Sequence, residues 1–154
     1  MLNEEQIEAI IFNACMKMGC RELYPEIEWS FNHRFTSQAG NANMVSKFIQ
    51  FSSKLFMVAT AAQQEDVIRH EVAHLGHSFL SDNWRNERHH GKEWERLALL
   101  AGAPLGANSD IKSLAPTKKA YCKCGEMVIS KNRHTRIKRG ARYLCGACET
   151  EINL

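Results

Sequence analysis

The stretch Arg69-His70-Glu71-Val72-Ala73-His74 constrains this chain more than any other. It continues a run from Asp66 that holds neither glycine nor proline, and Val67, Ile68, Val72, Leu75, Phe79 and Leu80 recur at helical spacing. The pattern predicts a long helix over about 64–80, with those six side chains on its buried side. On such a helix His70 and His74 lie one turn above each other on one face. Two imidazoles so placed can grip one Zn²⁺, and Glu71, the next residue round, can reach a water on the metal. The pattern is short, and with 7 His and 14 Glu in 154 residues it can arise by chance, so it needs independent support.

A zinc hydrolase requires a third protein ligand and an open position for water. His77 shares the face of His70 and His74, but a further turn along one straight helix leaves it too far from a metal held between them. It reads as a supporting or surface residue. Ser81-Asp82-Asn83 ends the helix, residues 82–90 form a polar loop, and Lys92 to Ala101 read as a helix stopped by Gly102. Trp94, Leu97, Ala98 and Leu100 are its apolar positions. Spacing leaves His89, His90, Glu87, Glu93 and Glu95 all open as the third ligand. The extended metzincin arrangement is excluded, because His77 and Leu80 stand where it needs a glycine and a histidine. As donors to an oxyanion, His33, His77, Arg85 and Arg88 are equally placed.

The residues upstream describe a small mixed fold. Asn3 reads as an N-cap, with Glu4 and Glu5 in the first turn, where the helix dipole favours carboxylates. Ile7, Ile10, Ile11, Ala14 and Met18 follow as a buried stripe, and Gly19 ends it. Cys15 and Cys20 read as packed free thiols. Residues 26–35 alternate apolar and polar as a strand, with Ile27, Trp29 and Phe31 on one face. Residues 37–41 read as a turn, 44–51 as a second strand, and 54–62 as a short helix. The class is α+β, with a small β-sheet.

Charge divides the chain. Residues 1–111 carry 10 Lys/Arg against 14 Asp/Glu, whereas residues 112–154 carry 10 against only Glu126, Glu149 and Glu151. Pro104, Gly106 and Pro116 mark residues 103–120 as a linker. Two domains follow, 1–110 and a basic module at 111–154. In the latter, Cys122-Lys123-Cys124-Gly125 and Cys145-Gly146-Ala147-Cys148 form two close thiolate pairs, the pattern of a tetrahedral structural Zn²⁺ site. The first knuckle is tight, with Gly125 relieving its turn, and too few apolar residues remain for a core independent of metal. Between the pairs, the stretch 131–142 holds Lys131, Arg133, Arg136, Lys138, Arg139 and Arg142 without one acidic residue. On a hairpin rising from the knuckle, such a strip would meet the phosphates of DNA without reading sequence, and Tyr121, Tyr143 and His134 could stack on unpaired bases. Close cysteine pairs of this kind suit a reducing compartment. The acidic N-terminus lacks a signal peptide's basic region and no apolar run reaches ~20 residues, so the expected location is cytoplasmic, without membrane insertion.

Taken together, these residues resemble the SprT-like zinc metallopeptidases. The likeness rests on Ala39-Gly40, His70-Glu71-x-x-His74, His90-Gly91-x-x-Trp94, Tyr121-Cys122-x-Cys124, Arg133-His134, Ile137-x-x-Gly140 and Tyr143-x-Cys145-x-x-Cys148, in that order. The resemblance implies a compact zincin-like domain of minigluzincin type, followed by a C-terminal zinc ribbon. It also implies His90 as the third ligand of a catalytic zinc, Glu71 as the catalytic residue, and a structural zinc on Cys122, Cys124, Cys145 and Cys148. The implied activity is cleavage of proteins bound or crosslinked to DNA, as in DNA–protein crosslink repair, with DNA as activator. A bacterial or viral member would be associated with the nucleoid.

Overall fold

A computed structural model describes residues 1–105, 111 and 113–154. The chain forms two compact units, Met1–Leu114 and Ala115–Leu154. The domain boundary expected at 110–111 falls on residues outside the described set, apart from Ile111 itself, which belongs to the first unit.

In the first unit, helix α1 (Glu4–Met18) starts in a reciprocal cap: Asn3 Oδ1 accepts from Gln6 N, and Gln6 Oε1 accepts from Asn3 N, each at 2.9 Å. It stops at Gly19, whose φ of +76° is the left-handed conformation that glycine adopts without strain. Ile7, Ile11, Ala14, Cys15 and Met18 make the buried face, and Ile10 lies only half inside.

A 3₁₀ turn over Arg21–Glu26, containing Pro25, leads to β1 (Glu28–Asn32). This strand is shorter than the 26–35 expected from alternation, because the proline turn holds its start and bends follow Asn32. The next stretch departs further from expectation. In place of a turn at 37–41 and a single strand at 44–51, the chain forms a hairpin, β2 (Gly40–Asn43) and β3 (Phe48–Ser52), with the turn at 44–47. Asn43 makes that turn: its Oδ1 accepts from the backbone N–H of Val45 and Ser46, both at 3.0 Å, and Lys47 takes a φ of +54°. β3 is central, pairing in parallel with β1 and antiparallel with β2, so β2 forms one edge of the sheet. Trp29, Phe31, Phe51 and Phe56 fill one side of the sheet with ring centroids 5.2–6.4 Å apart.

Helix α2 (Ser53–Val58) gives way to α3 (Ala61–Leu80), which opens on a Thr60–Gln63 capping box. α3 is packed by α1, α4 (Lys92–Ala101), β2 and β3, so every residue from His70 to His77 is buried. A helix enclosed all round in this way can carry polar groups only where they have partners. Its last turn leaves the core. Phe79 and Leu80, expected inside, are exposed, and Phe79 is covered instead by the Lys47 ammonium, 5.8 Å from its ring. On α4 the buried side is Trp94, Leu97, Ala98 and Ala101, while Leu100 faces out, contrary to expectation.

The second unit is a hairpin and one short helix. β4 (Thr117–Cys122) and β5 (Gly125–Ser130) pair antiparallel from Thr117↔Ser130 to Cys122↔Gly125. The tight turn is therefore the first cysteine knuckle itself, with Gly125 at φ +117°. The hairpin does not carry the basic strip. Residues Lys131–Lys138 form helix α5, because Ser130 Oγ caps the Arg133 N–H at 3.2 Å, and Ile137 is the helix's sole apolar side chain. A strand needs alternate apolar residues to bury; one helical turn needs only Ile137. Ala120, Ile129, Cys145 and Ile152 make the core, with Met127, Ile137 and Tyr143 against it.

Candidate metal centres and their surroundings

Three histidines converge in the first unit. His70 and His74 rise from consecutive turns of α3, and His90 comes from the loop before α4. The His74 and His70 Nε2 atoms are 3.3 Å apart, and His90 Nε2 lies 3.1 Å from His74 Nε2. Three nitrogens bound tetrahedrally to one zinc at ~2.05 Å would stand about 3.3 Å apart, so the spacing fits a single ion. No other side chain considered for the third position joins them. Glu87 is turned to His77, Glu93 is paired with Arg96, and the His89 ring stacks on the His74 ring at 4.4 Å with 16° between planes. The chemistry of the donors also fits. Burial, with the neighbouring imidazoles, pushes His74 down to about 2, so its ring stays neutral, as a metal ligand must be.

Behind the triad stands Trp94. Its indole packs against His70, His74 and His90 with centroids 4.8, 5.0 and 4.5 Å away, a rigid wall that fixes all three rings. In front lies a cavity of about 430 Å³, lined by the triad, Glu71, His89, and by Ser37, Gln38, Gly40, Asn41 and Ala42. Glu71 is buried at the cavity wall, one residue round the helix from His70. None of His33, His77, Arg85 and Arg88 lines this cavity; His33 Nδ1 is instead 2.9 Å from Ser53 Oγ. His89 does line it, a placement that spacing does not single out.

His77 is the residue whose surroundings are least legible in the sequence. It is buried, and its Nε2 meets Glu87 Oε2, while Ser81 Oγ donates to Glu87 Oε1 at 2.7 Å. Hydrogen bonds from His77 and then Ser81 hold the Glu87 carboxyl below the usual carboxylate range. Two residues at the end of α3 thus tether the loop that carries His89 and His90.

A model of the SprT-like family matches residues 5–113. The chain belongs to the SprT-like family. It is also similar to the proteins named Protein SprT of Shigella dysenteriae serotype 1, Escherichia coli O1:K1 and Escherichia fergusonii. Each is 31% identical over 144 residues, covering 90% of this chain and 84% of the relative. No solved structure matches the chain. Among the described residues of this SprT-like protein, no helix is long and apolar enough to cross a membrane.

The second centre is in the other unit. The sulfurs of Cys122, Cys124, Cys145 and Cys148 all lie within 4.8 Å of one another, a cluster that four Zn–S bonds of ~2.3 Å would span. Thr150 hydrogen bonds bring Cys148 down to about 6, while the hydrogen bond with Cys148 pushes Cys124 up to about 12. The Cys148 thiolate is therefore ready at neutral pH, whereas Cys124 would give up its proton to an entering metal.

The six basic residues of 131–142 are all exposed but differ in their freedom. Arg142 is bidentate to Glu151, at 2.9 and 3.0 Å. Arg133 lies over the Tyr143 ring at 5.2 Å, and the same tyrosine, beside Arg136, raises the pKa of that guanidinium. These two, with Ser130, Asn132 and Tyr143, line a cavity of about 300 Å³. Tyr121 is half exposed, at 47%.

Proposed function

We propose that this protein is a zinc-dependent metalloendopeptidase of zincin-like fold that acts on DNA-bound or DNA-crosslinked proteins in the cytoplasm or nucleoid. The observation that carries the peptidase reading is the convergence of three imidazole nitrogens beside a buried carboxylate that faces an open cavity. His70, His74 and His90 would hold a catalytic Zn²⁺, and the four cysteines of the second unit, there a zinc ribbon, would hold a structural one.

Bound at the histidines, zinc supplies Lewis acidity towards water and towards a peptide carbonyl. Glu71 takes the proton as water attacks the carbonyl carbon, then delivers it to the amine as the C–N bond breaks. Its buried position beside the histidines keeps this carboxylate within reach of both atoms. The ring of His89, exposed in the lining of the same cavity, could donate a hydrogen bond to the substrate. Gly40, Asn41 and Ala42 of edge strand β2 border the cavity, so an extended chain added to that edge would run past Glu71.

The second unit supports the DNA role through charge. Arg133 and Arg136 make no carboxylate pair among the described residues and converge with Tyr143 on one cavity. Two free guanidiniums suit phosphate oxygens, and contact with phosphates carries no sequence preference.

The test is cleavage of a protein crosslinked to DNA, assayed with and without added DNA, by wild type and by Glu71→Gln. Wild type should cut, faster with DNA, and Glu71→Gln should fail while retaining its zinc. Cutting that ignores DNA would leave a general zinc peptidase. Cleavage surviving in Glu71→Gln would remove Glu71 from the chemistry, and absence of cleavage in wild type would leave a nucleic-acid-binding protein.

A further inference from the structure

A second cavity, of about 200 Å³, adjoins the one in front of the histidines and shares His74 and His89 with it. Its other walls are Met44, Trp84, Arg85 and the His77–Glu87 pair. Small-molecule sites run to about 300–1,000 Å³, so this volume suits one side chain of a larger substrate.

Its two charged groups differ in their partners. The Arg85 guanidinium lies over the Trp84 ring, 5.1 Å from the centroid, and makes no ion pair among the described residues. Glu87 is the one carboxylate lining the cavity, and both its oxygens are taken, by His77 and by Ser81. The Glu87 charge is thus directed at His77 and Ser81, and Arg85 has no ion pair with it or with any other described carboxylate. A guanidinium over an indole can still offer its N–H edge, and that edge matches a carboxylate in a two-pronged contact. Met44 and Trp84 add an apolar wall for the methylenes of a side chain reaching that edge.

We infer that this cavity is a specificity subsite of the peptidase centre, and that it takes an acidic side chain of the cleaved polypeptide, glutamate before aspartate. The inference rests on the peptidase reading above. A lysine or arginine there would face Arg85 without a free carboxylate. A purely apolar residue would fill the Met44–Trp84 wall but leave the cation unpaired.

The experiment is digestion of a mixture of unfolded proteins by the zinc-loaded full chain, with cut sites read by mass spectrometry. Glutamate should be enriched several-fold at one fixed position relative to the cut bond. In Arg85→Gln the ratio of cuts flanked by that glutamate to all other cuts should fall about tenfold, with zinc content unchanged. In Arg85→Glu the same position should come to favour lysine or arginine. A glutamate-containing peptide should also bind the inactive Glu71→Gln chain more tightly than its glutamine counterpart, as measured by fluorescence anisotropy. Cutting without acidic enrichment, or enrichment that survives Arg85→Gln, overturns the subsite and leaves the peptidase standing. Cutting no greater than that of Glu71→Gln removes the peptidase and the subsite with it.

Discussion

Gly40 sits directly against Glu71. A Cβ built on residue 40 would stand 2.7 Å from Glu71 Cγ and 2.9 Å from its Oε1, closer than such atoms approach. The glycine is there for space: its backbone is not in the left-handed region, and alanine at 40 meets the Glu71 side chain first. Gly40→Ala should push the Glu71 carboxylate off its position by a few tenths of an ångström or more, with a stability cost of ~1–3 kcal/mol. Turnover should fall by about ten- to a hundredfold, as small misplacements of a reacting group do. Zinc stoichiometry should hold, because the three atoms nearest that Cβ all belong to Glu71 and none to His70, His74 or His90. Measuring kcat beside metal content checks this; equal kcat in both proteins would show that Glu71 has room to move without loss.

The tether between α3 and the ligand loop makes a second, separable prediction. Glu87 is outside the three-histidine group and the lining of the front cavity, so it acts through the loop that carries His90. Glu87→Gln and His77→Asn should each loosen the metal about 10- to 100-fold, measured by competition with a chelator of known affinity, since groups that orient ligands commonly contribute that much. The double variant should be little worse than either single one, because both weaken the same His77–Glu87 pairing. Additive losses would mean that the two side chains act independently.

Metal content resolves the two centres. Wild type should carry two zincs per chain. His90→Ala should lose one and keep the second unit folded, whereas Cys148→Ser should lose the other and unfold residues 115–154 while His70, His74 and His90 still bind metal. The second unit has a four-residue buried core in 40 residues, too small to hold without its metal. Atomic absorption with circular dichroism reads both effects. If Cys148→Ser remained fully structured without its zinc, the metal would not be what folds this unit.

Local signals carry much of this structure, and the departures from them have a common cause. Caps and stops are legible because they depend on single residues: Asn3, Gly19 and Gly102 act within one turn. The His70–His74 pair is equally plain, because a fixed period of 3.6 sets both side chains on one face. His90 is not determined by spacing, since a loop has no period; only resemblance chooses it from among its neighbours, and the fold brings it to 3.1 Å from His74. The β2–β3 hairpin is hidden in the sequence because Gly40–Asn43 is four residues without a large apolar side chain, and its turn is made by the Asn43 side chain. The basic strip suggests a hairpin where the fold has a helix, because charge density gives no period at all. The cap at Ser130 is the available sign of a helix there.

That helix changes which cations are free to meet a phosphate, and this yields the last prediction. All six basic residues between the cysteine pairs look equivalent in sequence. In the fold Arg142 is already held by both oxygens of Glu151, whereas Arg133 and Arg136 lie beside Tyr143 with no carboxylate partner among the described residues. Each arginine–phosphate pairing removed should lower the slope of log affinity against log salt by about 0.7–0.9. Arg133→Gln with Arg136→Gln should therefore weaken binding to any DNA sequence and flatten the slope by nearly two such steps. Arg142→Gln, which also frees the Glu151 carboxylate, should weaken binding through that charge while changing the slope little. Titration of a fluorescent oligonucleotide at several salt concentrations distinguishes these outcomes. An equal drop in slope for Arg142→Gln would show that DNA displaces Glu151 from its arginine, and a slope unchanged in the double variant would move the phosphate-binding surface off this face of α5.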